Sequence, residues 1–527
     1  MSNRFKSVPL SAVVIIFLLG ALSFKIYTNF TTKRELQLSN NNWDKLSLIL
    51  KQIDNHYVDT VNQEQITEEA IPFILEKLDP HSVYLAPEEL TNAEEQLLGN
   101  FDGIGIQFNV PNDTAVVISV IPGGPSERAG LLSGDRLVKV DGEIVAGVKM
   151  DQDSLVKRLR GKSGSVVKVD VKRMGFDKLV SFDITRDKIP VKSIDVAYMV
   201  NDTLGYMKLS KFTRTSYTEF MEAVRELRKF GLSSLIFDLR GNSGGYFDQA
   251  LLLSNEFLDK GSLIVYMQGR NRPRQDFFAD NNGTCRDLGI KVLIDEGSAS
   301  SSEIFAGAIQ DNDRGQIIGR RSFGKGLVQE PIYFSDNSGI RLTVARFYTP
   351  TGRSIQKPYG SDDYYGDIIE RYRHGEMFSA DSIKINDSLK YTTPSGKVVY
   401  GGGGIIPDLF VPIDTVGVTP FLVKVSNQGI AFRFGASMSD RFRSRINEIS
   451  TLEDLDTFFD GAGMERRFLE FASDNGVNAT QQEWDESKDV IMTQVKAFIG
   501  RYSPMDDNAF YPVLLKIDNV VQAAIGQ

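Results

Sequence analysis

An α/β fold with helical regions at both ends is what this sequence predicts, and three observations carry that prediction. From Leu204 onward, strand-like runs (LGYMKLS, SLIFD, SLIVYMQ, KVLID) alternate with helical segments, the pattern of a sheet with both faces covered. Between about residues 98 and 192, short alternating stretches such as VVKVDVKRM and LVSFDITRD are separated by Gly- and Pro-bearing turns, as in a small β-rich unit. From Trp43 to about Leu98, and again after Thr419, apolar residues recur at helical spacing.

The chain has 527 residues, enough for three or four domains of roughly 150 residues. At 41% hydrophobic and 24% charged it has ample core material. A net charge of -9 argues against a nucleic-acid partner, which would select a basic patch. The single cysteine, Cys285, cannot form an internal disulfide and reads as a plain loop thiol. HExxH, CxxC, paired-carboxylate and GxxxxGK[ST] patterns are all missing from the sequence, so neither a metal nor another cofactor is expected.

Each element follows in order. Arg4 and Lys6 precede an apolar run from Val8 to Phe24. That run is longer than a signal-peptide core of about 7–15 residues and shorter than a spanning helix of about 20. No small-x-small cleavage site follows it, so residues 1–30 are expected to be a signal anchor or a signal peptide, the uncleaved anchor being favoured. The protein would then be exported and held to the inner membrane on the periplasmic side of a cell envelope. Residues 31–97 read as a polar linker and a helical N-terminal region, with Leu46, Leu48, Ile49 and Ile53, then Ile66, Ala70, Ile71 and Ile74, on its apolar faces. Pro80 and Pro87 interrupt helices in LDPHSVYLAPEEL. Residues 98–192 open with FDGIGIQF, which alternates as one strand. In the α/β part, residues 193–415, YTEFMEAVRELRKFG places Phe220, Val224 and Leu227 on one face and stops at Gly231. Residues 416–527 carry helical spacing (Leu452, Leu455, Phe458, Phe459; Val490, Ile491, Val495, Phe498) without a motif, and fit a core or dimer contact.

Chemistry concentrates in GSASSSEIFAGAIQ, which puts four serines among five residues before an apolar helix. Ser300 with Glu303 makes the S-x-x-E of a capping box. The same place suits a nucleophile, since a helix N-terminus offers unpaired N–H groups and positive potential to an oxyanion. Downstream, RRSFGKGLVQE holds Lys325 between two glycines, with Gln329 four residues on and on the same face. Lys325 is either an ordinary surface lysine or a desolvated amine with lowered pKa, able to activate a serine. The three histidines, His56, His81 and His374, have no motif around them, which disfavours a Ser-His-Asp hydrolase.

Two resemblances decide between these readings. The stretch from Gly297 to Glu330 resembles the signature of the carboxyl-terminal processing (tail-specific) serine proteases: Ser-x-Ser-x-Ser-Glu, then Gln-Asp, then Phe-Gly-Lys-Gly-x-Val-Gln. The resemblance implies a crotonase-like (ClpP/crotonase-type) α/β core with Ser300 as nucleophile, Lys325 as base and Gln329 as its orienting partner. It implies an oxyanion hole from the N–H of Ser301, where alanine is common, and of Gly244 or Gly245 in the loop DLRGNSGG. Asp311 matches an acidic position and is expected to buttress the structure; Ser298 and Ser302 are expected to pack or cap. LDPHSVYLAPEEL, IRLTVARFYTPTGRSIQ and GGGGIIPDLFVP match further blocks, the last expected to shape a turn near the substrate groove.

Residues 98–192 resemble a PDZ domain, through GIGI and PSERAGLLSGDRLVKVDG together. That resemblance implies that the Gly103-Ile104-Gly105-Ile106 loop takes a peptide's terminal carboxylate while the peptide adds as a strand. The combined expectation is an exported serine endopeptidase that captures protein substrates by exposed C-termini and cleaves them. Its partners would be those substrates, with room for a homo-oligomer or an adaptor protein. The competing expectation is a catalytically silent PDZ scaffold that binds protein tails in the envelope. A crotonase-like acyl-thioester enzyme would explain neither the PDZ region nor the lysine.

Overall fold

Two sheets of opposite character make up the α/β region, and chain connectivity explains the difference. The computed structural model describes residues 42–110, 113–359 and 364–526. The first sheet runs Ile194–Met199, Leu204–Leu209, Ser234–Asp238, Gly289–Ile294, Gln316–Gly319, Leu409–Phe410. Its first pair is antiparallel and every later pair is parallel. Parallel neighbours need crossover connections, supplied here by helices such as Ser216–Arg228, Phe247–Phe257 and Ser301–Asp311. All eleven residues of Ser301–Asp311 are buried, as suits a helix apolar on every side but for its terminal groups. Phe305 meets Phe237 of the sheet edge-on at 5.2 Å, and Phe237 meets Phe220 at 5.5 Å.

The second sheet is antiparallel throughout. Gly339–Tyr348 lies at its centre, paired with Leu327–Tyr333, Leu263–Gly269 and Val83–Leu85. The segment Val83–Leu85 lies in the helix-breaking stretch of the expected helical region, where no strand was expected. Pro80 and Pro87 bar a helix there, and the β-prone Val83 and Tyr84 instead add an edge strand to the catalytic sheet. The preceding turn is thereby carried into the active-site region.

The PDZ-like unit has its own sheet, Ile106–Asn109, Val116–Val120, Arg136–Val140, Val166–Lys172, Val180–Thr185, around Leu137, Val140, Val167, Val169 and Ile184. FDGIGIQF is two strands rather than one. Asn100–Gly103 pairs with Asp187–Pro190, and Ile106–Asn109 pairs with Val116–Val120. The break falls at Gly105, whose φ of +74° turns the backbone out of the strand region.

The C-terminal helices, Pro420–Asn427 to Asn519–Gly526, enclose a core including Phe421, Phe434, Phe468, Ile491 and Val495. This region also touches both neighbours. Asn519–Gly526 packs Val520, Val521 and Ala524 against Val196, Tyr206, Ile236 and Leu293 of the parallel sheet. Arg136 pairs with Asp440 at 2.8 Å, and Arg443 donates to Ser133 at 3.1 Å, so the PDZ-like unit rests on the C-terminal helices. Cys285 is a free thiol in a loop, as expected, yet it is fully buried in the main core. Burial pushes its pKa up to about 11, which makes it unreactive.

At the start of the described chain stand helices Asn42–His56 and Gln63–Glu76. The expected anchor at residues 1–30 lies outside the described residues. Among the described residues no helix is long and apolar enough to cross a membrane.

Candidate active site

Ser300 sits where strand Gly289–Ile294 turns into helix Ser301–Asp311. Its φ of +55° with ψ of -112° is a conformation that a residue with a Cβ adopts only under constraint. The consequence is chemical. In an ordinary N-cap the hydroxyl accepts from the helix N–H groups. Here the Ser300 carbonyl takes the N–H of Glu303 and of Ile304, each at 2.9 Å, and the hydroxyl makes no capping bond. Half of the capping box does form, since Ser300 N–H donates to Glu303 Oε2 at 2.9 Å. Ser300 Oγ is left at the positive end of a buried helix.

Glu303 does more than cap. Its fully buried carboxylate also accepts from Ser322 Oγ (2.5 Å), Gly324 N (2.8 Å) and Lys325 N (2.8 Å). Burial raises its pKa, opposed by those four hydrogen bonds. One carboxylate thus fixes the backbone of Ser300 against the backbone of Lys325.

Lys325 points its amine at Gln329, Nζ donating to Oε1 at 2.9 Å. Burial, then the nearby charge of Arg341, lowers its pKa below the ordinary lysine value, while Glu303 and Asp79 work the other way. No hydrogen bond joins Lys325 Nζ to Ser300 Oγ among the described residues. The amine is sheltered, and its glycine neighbours make that possible. At Gly324 (φ +91°) a Cβ would press on the backbone of Gly403 and Gly404, and at Gly326 one would press on Gln356.

The loop Asp238–Gly245 lies against the serine loop and is bound to it through backbone groups. Asn242, fully buried, is the hub: its carbonyl accepts from Ala299 N (3.0 Å) and Ser302 Oγ (2.8 Å), and its Nδ2 donates to Leu209 O (2.9 Å). Ser298 Oγ donates to Leu239 O at 2.8 Å. Asn242 Oδ1 also accepts from Gly244 N at 2.8 Å, so that N–H is already committed. The N–H groups of Gly245 and Ser301 donate to no partner among the described residues. Gly244 has a packing duty instead, because a Cβ there would lie 2.8 Å from Ser300 Cβ. Ser301 Oγ donates to Gly245 O at 3.0 Å, tying the two halves together. Behind the loop, burial would raise the pKa of Asp238, but the charges of Arg240 and Lys208 with their hydrogen bonds hold it far below the carboxylate range. Arg240 also pairs with Asp518 of the C-terminal region at 2.9 Å. Asp311 lies away from the hydroxyl, bonded to buried Arg353 (2.7 Å) and to Thr351.

Sequence reasoning passed over Asn242 and the turn Asp79–Ser82. The turn brings His81 beside Gln329, whose Nε2 donates to the His81 carbonyl. The signal was a lone histidine and an aspartate between two helix-breaking prolines. The loop Gly401–Gly404, expected near the groove, backs the lysine loop through Gly404 N to Ile355 O (2.7 Å) and Arg321 to Gly403 O (2.7 Å).

In the PDZ-like unit, Gly103, Ile104, Gly105 and Ile106 line a groove with Phe101, Val156, Leu159 and Arg160. The carbonyls of Ile104 and Gly105 accept from Ser126 and Ile121, each at 3.0 Å, whereas the N–H groups of both residues donate to nothing among the described residues. Among the described residues, strand Ile106–Asn109 pairs on one side only, leaving its other edge open there.

Comparison with known proteins matches residues 203–365 to peptidase family S41, 103–184 to the PDZ domain and 421–503 to a family of unknown function. A carboxy-terminal-processing protease of Bartonella bacilliformis is 36% identical over 312 residues, 58% of this chain and 71% of its own length. The carboxy-terminal processing protease CtpB of Bacillus subtilis is 33% identical over 350 residues, 66% of this chain and 71% of its own. Among solved structures, the photosystem II D1 C-terminal processing protease is 27% identical, with 71% of this chain and 88% of that chain covered at a TM-score of 0.38.

Proposed function

The chain belongs to the carboxy-terminal processing proteases of peptidase family S41, a serine-type peptidase with a PDZ domain that acts on protein tails, and on that footing we propose a Ser-Lys mechanism for it. Ser300 Oγ attacks the scissile carbonyl carbon while Lys325 Nζ, as the neutral amine, takes the hydroxyl proton. The N–H groups of Gly245 and Ser301 bind the tetrahedral oxyanion, each worth about 3 kcal/mol to the transition state. As the intermediate collapses, the C–N bond breaks and the Lys325 ammonium gives its proton to the leaving amine. Water, deprotonated by the same amine, then attacks the acyl-enzyme and frees Ser300.

The observation that carries this reading is the sheltered amine of Lys325, its charge disfavoured by burial, on a loop that Glu303 fixes to the nucleophile's backbone. Because no hydrogen bond yet joins the two groups, closure of the pair accompanies substrate binding, as catalytic contacts often tighten only in the complex. The substrate's terminal carboxylate would take the N–H groups of Ile104 and Gly105, with the tail extending the sheet at Ile106–Asn109. A crotonase-like α/β core, and export with anchoring through Val8–Phe24, complete the proposal.

The test is tail cleavage by wild type, Ser300→Ala and Lys325→Ala, on one peptide as free acid and as amide. Loss of turnover in both variants with tail binding kept, and weaker cleavage of the amide, are expected. A Lys325→Ala enzyme that cleaves like wild type would remove the base, and equal rates on acid and amide would remove the PDZ domain from recognition.

A further inference from the structure

We infer that the Asp79–Ser82 turn is a positioning device for the base: it dictates which way round the Gln329 amide sits, and so leaves the lone pair of Lys325 for Ser300. The inference rests on the Ser-Lys reading above and adds to it a role for residues outside the serine and lysine loops.

An amide has a donor end and an acceptor end. The donor end of Gln329 meets the His81 carbonyl, a group that can only accept. Gln329 Oε1 is therefore the end that faces Lys325 Nζ, at 2.9 Å. A carbonyl beside an amine takes an N–H from either the neutral or the charged form. A flipped amide would instead give its own N–H to the amine's lone pair and compete with the serine hydroxyl for it.

The His81 carbonyl is held in place by the turn. Asp79 accepts from His81 N (2.8 Å), Ser82 N (2.8 Å), Ser82 Oγ (2.7 Å) and Thr343 Oγ1 (3.2 Å). Ser82 Oγ accepts from Thr343 N at 3.1 Å. Thr343 is the cross-strand partner of Gln329, so the turn is anchored to the residue opposite the amide it orients. The His81 ring closes the far side. Its Nε2 lies 2.9 Å from Tyr364 OH, which accepts from Gln356 Nε2 at 3.1 Å and so has its own proton for the imidazole. Gln356 Oε1 accepts from Gly326 N at 2.9 Å, next to Lys325. The bonded circuit begins at the base and ends on the backbone of Gly326, its chain neighbour.

The groups facing Lys325 are Glu303 from the nucleophile helix, Asp79 and His81 from the turn, and Arg341 from strand Gly339–Tyr348. Because Asp79 acts on Lys325 by its charge as well, the decisive variant is Ser82→Ala, which loosens the turn and leaves every charge in place. A charge-assisted bond to Gln329 Oε1 favours the ammonium over the amine. Losing it moves the acid limb of the pH–rate profile to lower pH.

The experiment is the pH profile of single-turnover acylation for wild type, Ser82→Ala, Asp79→Asn, Gln329→Ala and each turn variant combined with Gln329→Ala. Expected is a plateau rate lowered about threefold by Ser82→Ala and about tenfold by Asp79→Asn. KM should stay within about twofold, and for both variants the limb should move in the direction that Gln329→Ala moves it. In the Gln329→Ala background, Ser82→Ala should change neither rate nor limb, because its route to the base is gone. Additive effects in the double variant, or a limb that Ser82→Ala leaves where it was, overturn the inference. The wild-type profile separates the two readings: no acid limb at all overturns the lysine base itself, whereas a limb indifferent to the turn overturns only the positioning role. Thermal melting of each variant accompanies the kinetics, and should Asp79→Asn not fold, Ser82→Ala alone decides.

Discussion

The hydroxyl and the amine of the proposed dyad are delivered by two different kinds of sheet. Ser300 follows a strand of the parallel sheet, and its flanking residues Ser298, Ala299 and Ser302 bond to the backbone carbonyls of Leu239 and Asn242. Lys325 precedes a strand of the antiparallel sheet; its N–H bonds to the Glu303 carboxylate and its amine to the Gln329 side chain, which in turn bonds to the His81 carbonyl. A serine loop docked on backbone carbonyls has one position. An amine fixed by a circuit of side chains can be released or engaged by small rotations. Glu303 is the buried link between the two, and on the proposed mechanism the lysine side is the one that small side-chain rotations would engage or release.

The largest effect should come from breaking the backbone side. A Cβ at Gly245 would sit 2.0 Å from Phe212 O, at a φ of +148°, so Gly245→Ala must displace the loop and its oxyanion donor. A fall in kcat of about a hundredfold or more is expected, with tail binding by the PDZ domain unchanged. Kinetics within twofold of wild type would show that the loop gives no donor.

Severing the link comes next. Glu303→Gln keeps the shape but turns an amide N–H toward groups that are themselves donors. We expect roughly a tenfold to hundredfold loss in kcat and a lower melting temperature, since a buried donor without a partner costs about 1–3 kcal/mol. Unchanged melting and rate would mean that the two loops hold their places independently.

Ser301→Ala sharpens the comparison from the other direction. Its hydroxyl ties the two loops together through Gly245 O and, at 3.4 Å, Tyr246 O, so a decrease of about threefold or less in kcat is expected. A loss as large as that of Gly245→Ala would make the hydroxyl, and not the backbone, the element that holds the hole.

The smallest effect is on stability. Burial, then the charges of Lys325 and Lys357, push the His81 pKa down to about 4, with Asp79 opposing. A histidine whose folded pKa is depressed costs stability once the unfolded chain binds the proton first. Stability should be full above about pH 6.5 and decline as pH falls toward about 4. His81→Asn should remove that part of the decline in denaturant titrations at several pH values, and an identical decline in the variant would assign it to other groups.

What the sequence disclosed, and what it hid, follows the same division. The serine and lysine motifs are each contiguous in the chain, so Ser300, Lys325 and Gln329 could be picked out by resemblance to a known signature. Periodicity found Leu204–Leu209, Ser234–Asp238 and Gly289–Ile294 of the parallel sheet while placing SLIVYMQ, a strand of the antiparallel sheet, among them. That the Gly244 N–H is already bonded was not legible, because it depends on Asn242 turning its side chain back on that group. His81 escaped because its contribution is a backbone carbonyl, reached across 248 residues of chain by Gln329. The edge strand Val83–Leu85 escaped because three residues are too few for a period. The roles of the C-terminal helices were hidden for a related reason: Asp518 and Asp440 gain meaning only once Arg240 and Arg136 lie beside them.

The most direct measurement is the ionisation of the Lys325 amine itself, by site-resolved competitive labelling with mass spectrometry across pH in the Ser300→Ala protein. The account predicts a pKa clearly below the 10.5 of an ordinary lysine, so that Lys325 labels at a pH where surface lysines are still protonated. A pKa at or above that value would contradict a neutral amine as the base.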